Sequence, residues 1–194
     1  EEHQRVNHFR NHYELTRKDL LVKNVKRMKR QLEREDRWAE AEACDFVPQS
    51  YVLPGDYSLF VEGFKRSPGS TWIMKPTGRA QGKGIFLIHK LSQVAEWKRD
   101  HRWRADAPQA ESYIVQKYVA DPYLIGGKKF DCRLYALVTS FSPLRVWFYR
   151  SGFARFSFTK YRSGRETHED LSMHLTNVAI QKKGEAYDAS VGCK

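Results

Sequence analysis

Trp72-Ile73-Met74-Lys75-Pro76, then Gly78-Arg79-Ala80-Gln81-Gly82-Lys83-Gly84, then Ile85-Phe86-Leu87-Ile88 decide how this chain is read. Two apolar runs of strand character flank a loop that carries three glycines and two basic residues. In such a loop, backbone N–H groups and ammonium groups can surround a polyphosphate. The spacing is not that of a Walker A loop: Gly78 and Gly82-Lys83 enclose one residue too few, and Gly84 stands where Ser or Thr would hold magnesium. Gly82-Lys83-Gly84 is followed by Ile85-Phe86-Leu87, with no further glycine to complete a dinucleotide or kinase fingerprint. On these residues alone, an ordinary glycine hairpin with incidental surface lysines competes with a nucleotide site.

Three further segments bear on the choice. Tyr113-Ile114-Val115-Gln116-Lys117-Tyr118-Val119 is β-branched and aromatic and closes on Asp121-Pro122, which predicts a strand ending in a turn. In Phe130-Asp131-Cys132-Arg133-Leu134-Tyr135-Ala136-Leu137-Val138 a period of two puts Asp131, Arg133 and Tyr135 on one face and Phe130, Cys132 and Leu134 on the other. One face can pack while the other lines a cleft. An ion pair holding strands in register is the simpler reading of Asp131 and Arg133, and a solvent-facing strand residue that of Arg155. Met173-His174-Leu175-Thr176-Asn177 gathers small polar donors and acceptors.

Together and in this order, the segments resemble the tubulin–tyrosine-ligase-like family, and within it the polyglutamylase branch. The matching residues begin at Asn7-His8-Phe9 and Leu15-Thr16-Arg17-Lys18-Asp19-Leu20 and continue through Trp72–Pro76 and Gln81–Phe86. They run on through Gln116-Lys117-Tyr118, Pro122–Gly127, Lys129–Arg133, Gly152–Phe156 and His174–Asn177. The resemblance implies an ATP-grasp ligase of α+β class, with antiparallel sheets, flanking helices and the nucleotide between two sheets. It implies joining of L-glutamate to a glutamate side chain in an acidic tubulin tail, through an acyl phosphate made with ATP. Tubulin or microtubules, ATP and magnesium are thus the implied partners and cofactors, with accessory subunits an open matter. The implied setting is the cytoplasm and cytoskeleton, extending to the cilium or basal body.

The same resemblance assigns roles. Lys75 would meet the α/β-phosphates, while Gln81, Gly82, Lys83, Gly84 and Ile85 would cover the triphosphate. Lysine suits a phosphate as a mobile point charge, and glycine allows close backbone approach. Gln116, Lys117, Tyr118 and Val119 would form the adenine hinge. Lys129, Phe130 and Asp131 would lie near the nucleotide, and Thr176 and Asn177 on its ribose and phosphate side. Arg133 is the expected catalytic stabiliser of charge on the transferred phosphoryl group. Arg155 is expected to hold a substrate carboxylate, for which its bidentate fork is suited, and Lys194 to add a second amino-acid contact. Family members carry magnesium ligands on an acidic strand and a Glu-x-Asn segment that has no counterpart here. Metal-ligating residues are therefore expected downstream of Lys194, and the chain is expected to be the middle of a longer ligase or a truncated product. A non-catalytic or truncated relative that binds microtubules or ATP is the alternative.

Lys and Arg total 34 against 23 acidic residues, a formal charge of +11, which points to polyanionic partners. Three cysteines, odd in number and unpatterned, predict free thiols and neither a disulfide framework nor a zinc site. No run is long and apolar enough to span a bilayer, so a soluble intracellular protein is expected. Between Arg17 and Arg37, nine basic residues stand against four acidic ones, and Thr16-x-x-Asp19 reads as a capping box. Leu21, Val25, Met28 and Leu32 form an apolar stripe at helical spacing, opposite Lys23, Lys26, Arg27, Arg30, Arg34 and Arg37. Such a face is simply solvated, or it steers acidic tails toward the protein.

Residues 1–70 are expected to form an N-terminal and linker portion with this helix and a short one near Leu59, Phe60 and Phe64. Residues 71–194 are expected to hold the central ATP-grasp region and the start of its C-terminal part. Strands are predicted near 72–75, 84–89, 113–119, 130–140 and 144–149, with a helix over Leu91–Arg99. Arg102–Gln109 and Tyr161–Asp170 read as loops, and Ser140-Phe141-Ser142-Pro143 as a hairpin turn. The five Trp, ten Tyr and eleven Phe are expected mostly in the core. A nucleic-acid-binding module would explain the charge, but not the ordered motifs, and no RNA-recognition or zinc-knuckle signature is present.

Overall fold

A computed structural model of the chain describes residues 3, 6–100, 112–184 and 187. The expected 102–109 loop, Cys193 and Lys194 lie outside the described residues. Two compact units are formed, one from Glu1–Arg79 with Lys83–Tyr118, the other from Ala80–Gly82 with Val119–Lys194. The division falls after Tyr118 rather than at residue 70. The reason is that Ser50–Leu53, in the stretch expected to be linker, is a strand (β1) of the same sheet as the Lys75 segment.

In the first unit the helices are α1 (Tyr13–Thr16), α2 (Lys18–Arg34), α3 (Trp38–Glu42), α4 (Tyr57–Arg66) and α5 (Leu91–Asp100). With β1, the strands β2 (Trp72–Pro76), β3 (Phe86–Ile88) and β4 (Tyr113–Lys117) form an antiparallel sheet in the order β1-β4-β2-β3. Alternation along the strands gives each face a different chemistry. Trp72 and Met74 of β2, Tyr113 and Val115 of β4, Leu53 and Ile88 join Phe60 of α4 and Val94 of α5 in the main core. Phe60 meets Trp72 edge-on at 5.5 Å and Phe64 stacks beside it at 6.3 Å. The opposite face carries Ile73, Lys75, Ile114, Gln116, Ser50 and Leu87. Along that side runs α2, whose Lys18 Nζ donates to the Pro76 carbonyl at 3.1 Å and whose Lys26 Nζ donates to the Ser50 carbonyl.

The start of α2 departs from the expected capping box. Thr16 turns its hydroxyl back to the His12 carbonyl, and Arg17 holds Asp19 with both arms of its fork at 3.1 and 2.9 Å. The apolar stripe is also shifted: Val22 and Leu32 are buried, whereas Met28 is 58% exposed.

The second unit contains β5 (Leu124–Ile125), β6 (Lys128–Arg133), β7 (Ala136–Phe141), β8 (Leu144–Phe148) and β9 (Phe153–Phe156). The order β5-β6-β9 makes one antiparallel sheet, and β7-β8 a separate hairpin. Two short helices, α6 (Leu171–His174) and α7 (Val178–Gln181), follow a 3-10 turn at Arg165–Thr167 inside the expected loop. The strand expected over 130–140 is broken between Arg133 and Ala136, because each half pairs with a different partner. Gly152 accompanies this break: a Cβ there would stand 2.3 Å from the Arg133 carbonyl oxygen, so only glycine allows that approach. The hairpin turn after Ser140 forms as expected, with Phe141 opposite Leu144. Its aromatics are not core, however: Trp147 and Phe148 are about two-thirds exposed, because a two-stranded ribbon has no second layer of its own. Cys44 and Cys132 are free thiols.

Leu32 and Met28 test the placement of the stripe. Leu32→Ala is expected to lower unfolding stability by about 2–4 kcal/mol, and Met28→Ala by no more than about 0.5 kcal/mol, in urea titrations. Equal losses would show that the helix buries the face read from the sequence instead.

Candidate functional site

Lys75 is the centre of a polar chain laid across three strands. Its Nζ donates to Gln116 Oε1 at 2.8 Å, Gln116 Nε2 donates to Ser50 Oγ at 2.9 Å, and Ser50 Oγ donates to the Pro48 carbonyl at 2.6 Å. Register explains the meeting: Gln116 faces Ile73 on β2 and Ser50 on β1, which puts Lys75 diagonally across from it on the same face. Among the described residues no carboxylate pairs with Lys75. Burial pushes its ammonium below the usual lysine value, and the charge of Lys18 adds to the effect. Lys18 in turn donates, among the described residues, to two carbonyls, those of Pro76 and of Arg79, the latter at 2.8 Å. Two cations therefore sit together against neutral oxygens, an arrangement that favours the arrival of an anion.

The glycine loop has left-handed backbone at Gln81 (φ 61), Gly82 (φ 78) and Gly84 (φ 71). Left-handed geometry at a residue other than glycine, as at Gln81, is the kind of strain that gathers at ligand-holding loops. Gly82 packs inside the second unit: a Cβ there would meet Ile180 Cδ1 at 2.4 Å and Asn177 Oδ1 at 3.4 Å. The close approach that the glycine permits is thus to α7 and the Asn177 segment. Lys83 is exposed and Ile85 half-buried.

Of the expected hinge, Gln116 is engaged with Lys75, Lys117 is exposed, and Tyr118 is buried. Lys117 N–H donates to Gln49 O at 2.8 Å and Tyr118 N–H to Thr71 O at 3.0 Å, so these two donors are spent within the protein. Val119 is 54% exposed.

The second unit assembles Asp131, Arg155 and Thr176. Asp131 and Arg155 are directly opposite on β6 and β9, and Arg155 Nε donates to Asp131 Oδ1 at 3.0 Å while its Nη2 grips Oδ2. Thr176 Oγ1 donates to Asp131 Oδ1 at 2.8 Å. The ion pair is therefore with Arg155, not Arg133. Arg133 shares the strand face of Asp131 and acts on it through its charge, although it is itself exposed. Tyr135 falls outside the strand. Burial opposes the Asp131 charge, but hydrogen bonds from Arg155 and Thr176 and the positive charges of Arg155 and Arg133 outweigh it and hold the carboxyl below its ordinary value. On the other face Phe130 stacks on Phe156 at 5.3 Å. Lys129 lies 5.8 Å from the Tyr161 ring.

Gln181, which the sequence did not single out, and His174, which it named without a role, shape this unit. Gln181 is buried, with Oε1 accepting from Phe158 N–H at 2.8 Å and Nε2 donating to the carbonyls of Ser172 and Leu175 at 2.6 and 2.5 Å. It braces the segment that carries Thr176 and Asn177. His174 is buried too; its Nε2 lies 3.0 Å from the Thr167 carbonyl and 3.1 Å from the Thr167 hydroxyl, and its ring meets Tyr161 and His168 edge-on. Burial lowers its proton affinity, Lys129 and His168 act in the same sense, and the Thr167 carbonyl opposes them. A lone glutamine near the end of a short apolar run offers no sequence signal for such a role. Among the described residues, no three His, Cys, Asp or Glu side chains converge to hold a metal ion.

The geometry defines a mixed α/β protein of antiparallel sheets with flanking helices, carrying an anion-receptive lysine and a separate carboxylate–arginine pair. The model of the tubulin-tyrosine ligase family matches residues 1–194, and the chain belongs to that family. The probable tubulin polyglutamylase TTLL9 of Bos taurus is 47% identical over 221 residues, covering all of this chain and 48% of the relative. The probable tubulin polyglutamylase ttll-9 of Caenorhabditis elegans is 50% identical over 194 residues, covering all of this chain and 45% of the relative. The tubulin monoglutamylase TTLL4 of Mus musculus is 38% identical over 189 residues, covering 97% of the chain and 14% of the relative. The chain spans about half the length of the first two.

Acid should weaken the second unit in two stages. His174 resists a proton that the unfolded chain accepts near pH 6.5, so stability falls as pH drops from there toward the lower folded value. The Asp131 contribution is present above the unfolded value of 3.8 and is lost as pH falls through its depressed folded value. In thermal melts, the drop in Tm from pH 7.5 to 5.5 is expected to be smaller for His174→Gln than for the unsubstituted protein, and unaltered in Asp131→Asn. Gly82→Ala, which combines strained φ with the Ile180 clash, is expected to lower Tm by several degrees.

Proposed function

We propose that this chain is part of an ATP-dependent protein–glutamate ligase that acts on tubulin, built on an ATP-grasp architecture with the nucleotide between two sheets. The observation that carries the reading is identity of 46–50% across the full chain to proteins named probable tubulin polyglutamylases. Lys75 supports it, because a lysine set among neutral oxygens beside a second cation fits a phosphate group well. Lys75 and Lys18 would hold the triphosphate, with Gln81, Gly82, Lys83, Gly84 and Ile85 covering it and Gln116–Val119 beside the base. When bound, ATP supplies the phosphoryl group that turns the acceptor carboxylate into an acyl phosphate, from which the incoming amine of glutamate displaces phosphate. Before that exchange, the task of Lys75 is to concentrate positive potential at a fixed point, and that of Gln116 is to aim it.

Arg155 is the expected contact for a substrate carboxylate, and Arg133 that for developing negative charge. Because Arg155 already grips Asp131, an incoming carboxylate competes with Asp131 for the fork. Thr176 shares Asp131 and would respond to the same exchange. The described residues do not form a magnesium cage, so no step is assigned to that ion. Association with the cytoskeleton belongs to the same reading. No helix among the described residues is long and apolar enough to cross a membrane.

The test is incorporation of labelled glutamate into microtubules by a polypeptide carrying these 194 residues, with ATP and magnesium supplied. Lys75→Ala is expected to weaken binding of a fluorescent ATP analogue about tenfold to a hundredfold and to abolish incorporation; Lys75→Arg is expected to restore only part of either. Arg155→Ala is expected to raise the KM for glutamate. Tyrosine or glycine incorporated in place of glutamate would overturn the assignment to the polyglutamylase branch.

A further inference from the structure

An open cleft of about 270 Å³ lies between α2 and the Cys44–Ser50 segment that leads into β1. Its apolar surface comes from Val22 and Val25 of α2 and from Cys44, Val47 and Pro48 opposite them. None of the residues assigned to the nucleotide or to glutamate lines it. Ser50 stands between the two regions: its carbonyl takes Lys26 of the cleft, while its hydroxyl serves Gln116 and, through it, Lys75.

The charge in this cleft does not cancel. Its ionisable groups are Lys26, Lys29 and Asp45, with the Cys44 thiol. Lys29 holds Asp45 in an ion pair. Lys26 forms no ion pair among the described residues: its ammonium rests on the neutral Ser50 carbonyl, and Asp56 and Arg30 act on it from outside the cleft in opposite senses. Two cations against one carboxylate leave a single positive charge beside an apolar wall.

That combination selects a ligand with one negative group and an apolar body, in the way that a few placed polar groups orient a molecule in a largely apolar pocket. Size narrows the choice. The cleft lies just under the range of roughly 300–1,000 Å³ that drug-sized ligands occupy, so it admits one ring with a short side chain. A long acyl chain would leave most of its length in water, where its transfer gains nothing. A phosphate ester brings a second charge that nothing in the cleft neutralises, and a neutral ring leaves Lys26 as it was. We propose that the α2–β1 cleft binds a small aromatic monocarboxylate, with its ring against Val25, Cys44 and Val47 and its carboxylate on Lys26. Cys44 suits the ring side, because a free, half-buried thiol behaves as a small hydrophobe. The proposal does not rest on the ligase reading, since the cleft needs neither nucleotide nor Lys75.

The intact chain, with isotope-labelled valine methyl groups, is titrated by NMR with phenylacetate, with the neutral phenethyl alcohol and with phenyl phosphate. Phenylacetate is expected to shift the Val25 and Val47 methyl signals saturably and to bind at least about fivefold more tightly than either of the others. Lys26→Gln keeps a donor for the Ser50 carbonyl and removes the charge; it is expected to lower the affinity for phenylacetate about tenfold. Lys23→Gln makes the same change in net charge at an exposed residue of α2 outside the cleft, and should alter affinity by less than about twofold. Val47→Trp fills the cleft and is expected to abolish the Val25 shift. Cys44→Phe fills the same wall from a neighbouring position and is expected to do likewise, so the result does not hang on one substitution. Circular dichroism confirms that each variant is folded. Equal or tighter binding of the alcohol or of phenyl phosphate would overturn the proposal, as would equal losses from both lysine substitutions. So would undiminished binding in the filled variants, shifts confined to valines away from the cleft, or no saturable shift at all.

Discussion

A lysine carried into a sheet with no carboxylate partner among the described residues is the constraint around which the first unit is organised. Transferring the ammonium of Lys75 out of water carries a penalty that the amide oxygen of Gln116 offsets only in part. That amide has to be held in one orientation, oxygen toward the lysine, and Ser50 does so by accepting its N–H. Ser50 is placed by the register of β1 on β4, so a change in strand pairing would scatter the whole chain of contacts. The face with Trp72 and Met74 makes the sheet stable; the face with Lys75 carries its buried charge.

The second unit meets the opposite problem by opposite means. Asp131 is a partly buried carboxylate that is fully satisfied, by a bidentate arginine across the strand pair and by a threonine from the segment after α6. Thr176 can reach Asp131 because Gln181 ties that segment to Ser172, Leu175 and Phe158 with one buried amide. Charge pairing and bracing are thus coupled: loosening Gln181 would free Thr176, and with it one of the groups that keep Asp131 ionised.

Much of this was legible in the sequence where a local pattern and its tertiary partner agree. The β-branched and aromatic runs at 72–76 and 113–117 became strands, the Ser140–Pro143 turn became a hairpin, and the alternation of Asp131 with Phe130 held across β6. The failures come from partners, local or distant, that spacing does not record. Thr16 had the identity of a cap, but the His12 carbonyl took its hydroxyl. Met28 had the right period for the core stripe, but the neighbouring elements cover Val22 and leave Met28 in solvent. The apolar run from Phe130 onward read as one strand, because nothing in it records that β9 pairs with its first half and β8 with its second. The alternate-face pattern placed Asp131 correctly, yet its partner Arg155 lies 24 residues away, beyond any periodicity.

The density of cations in α2 follows from its having two working edges instead of one. On the inner edge Lys18 and Lys26 spend their ammonium groups on backbone carbonyls of Pro76, Arg79 and Ser50, and so tie helix to sheet. Burial lowers the proton affinity of Lys26, which also lies 5.3 Å from the Tyr51 ring; it is a structural strut and contributes little to the field outside. On the outer edge Lys23, Arg27, Arg30 and Arg34 meet no such carbonyls among the described residues, and like charges spaced in this way repel one another. Like charges a turn apart destabilise a helix by a few tenths of a kcal/mol per pair. A helix can retain such a row because the inner struts and the buried Val22 and Leu32 anchor it, so the strain of the outer row is carried by the fold rather than relieved by fraying.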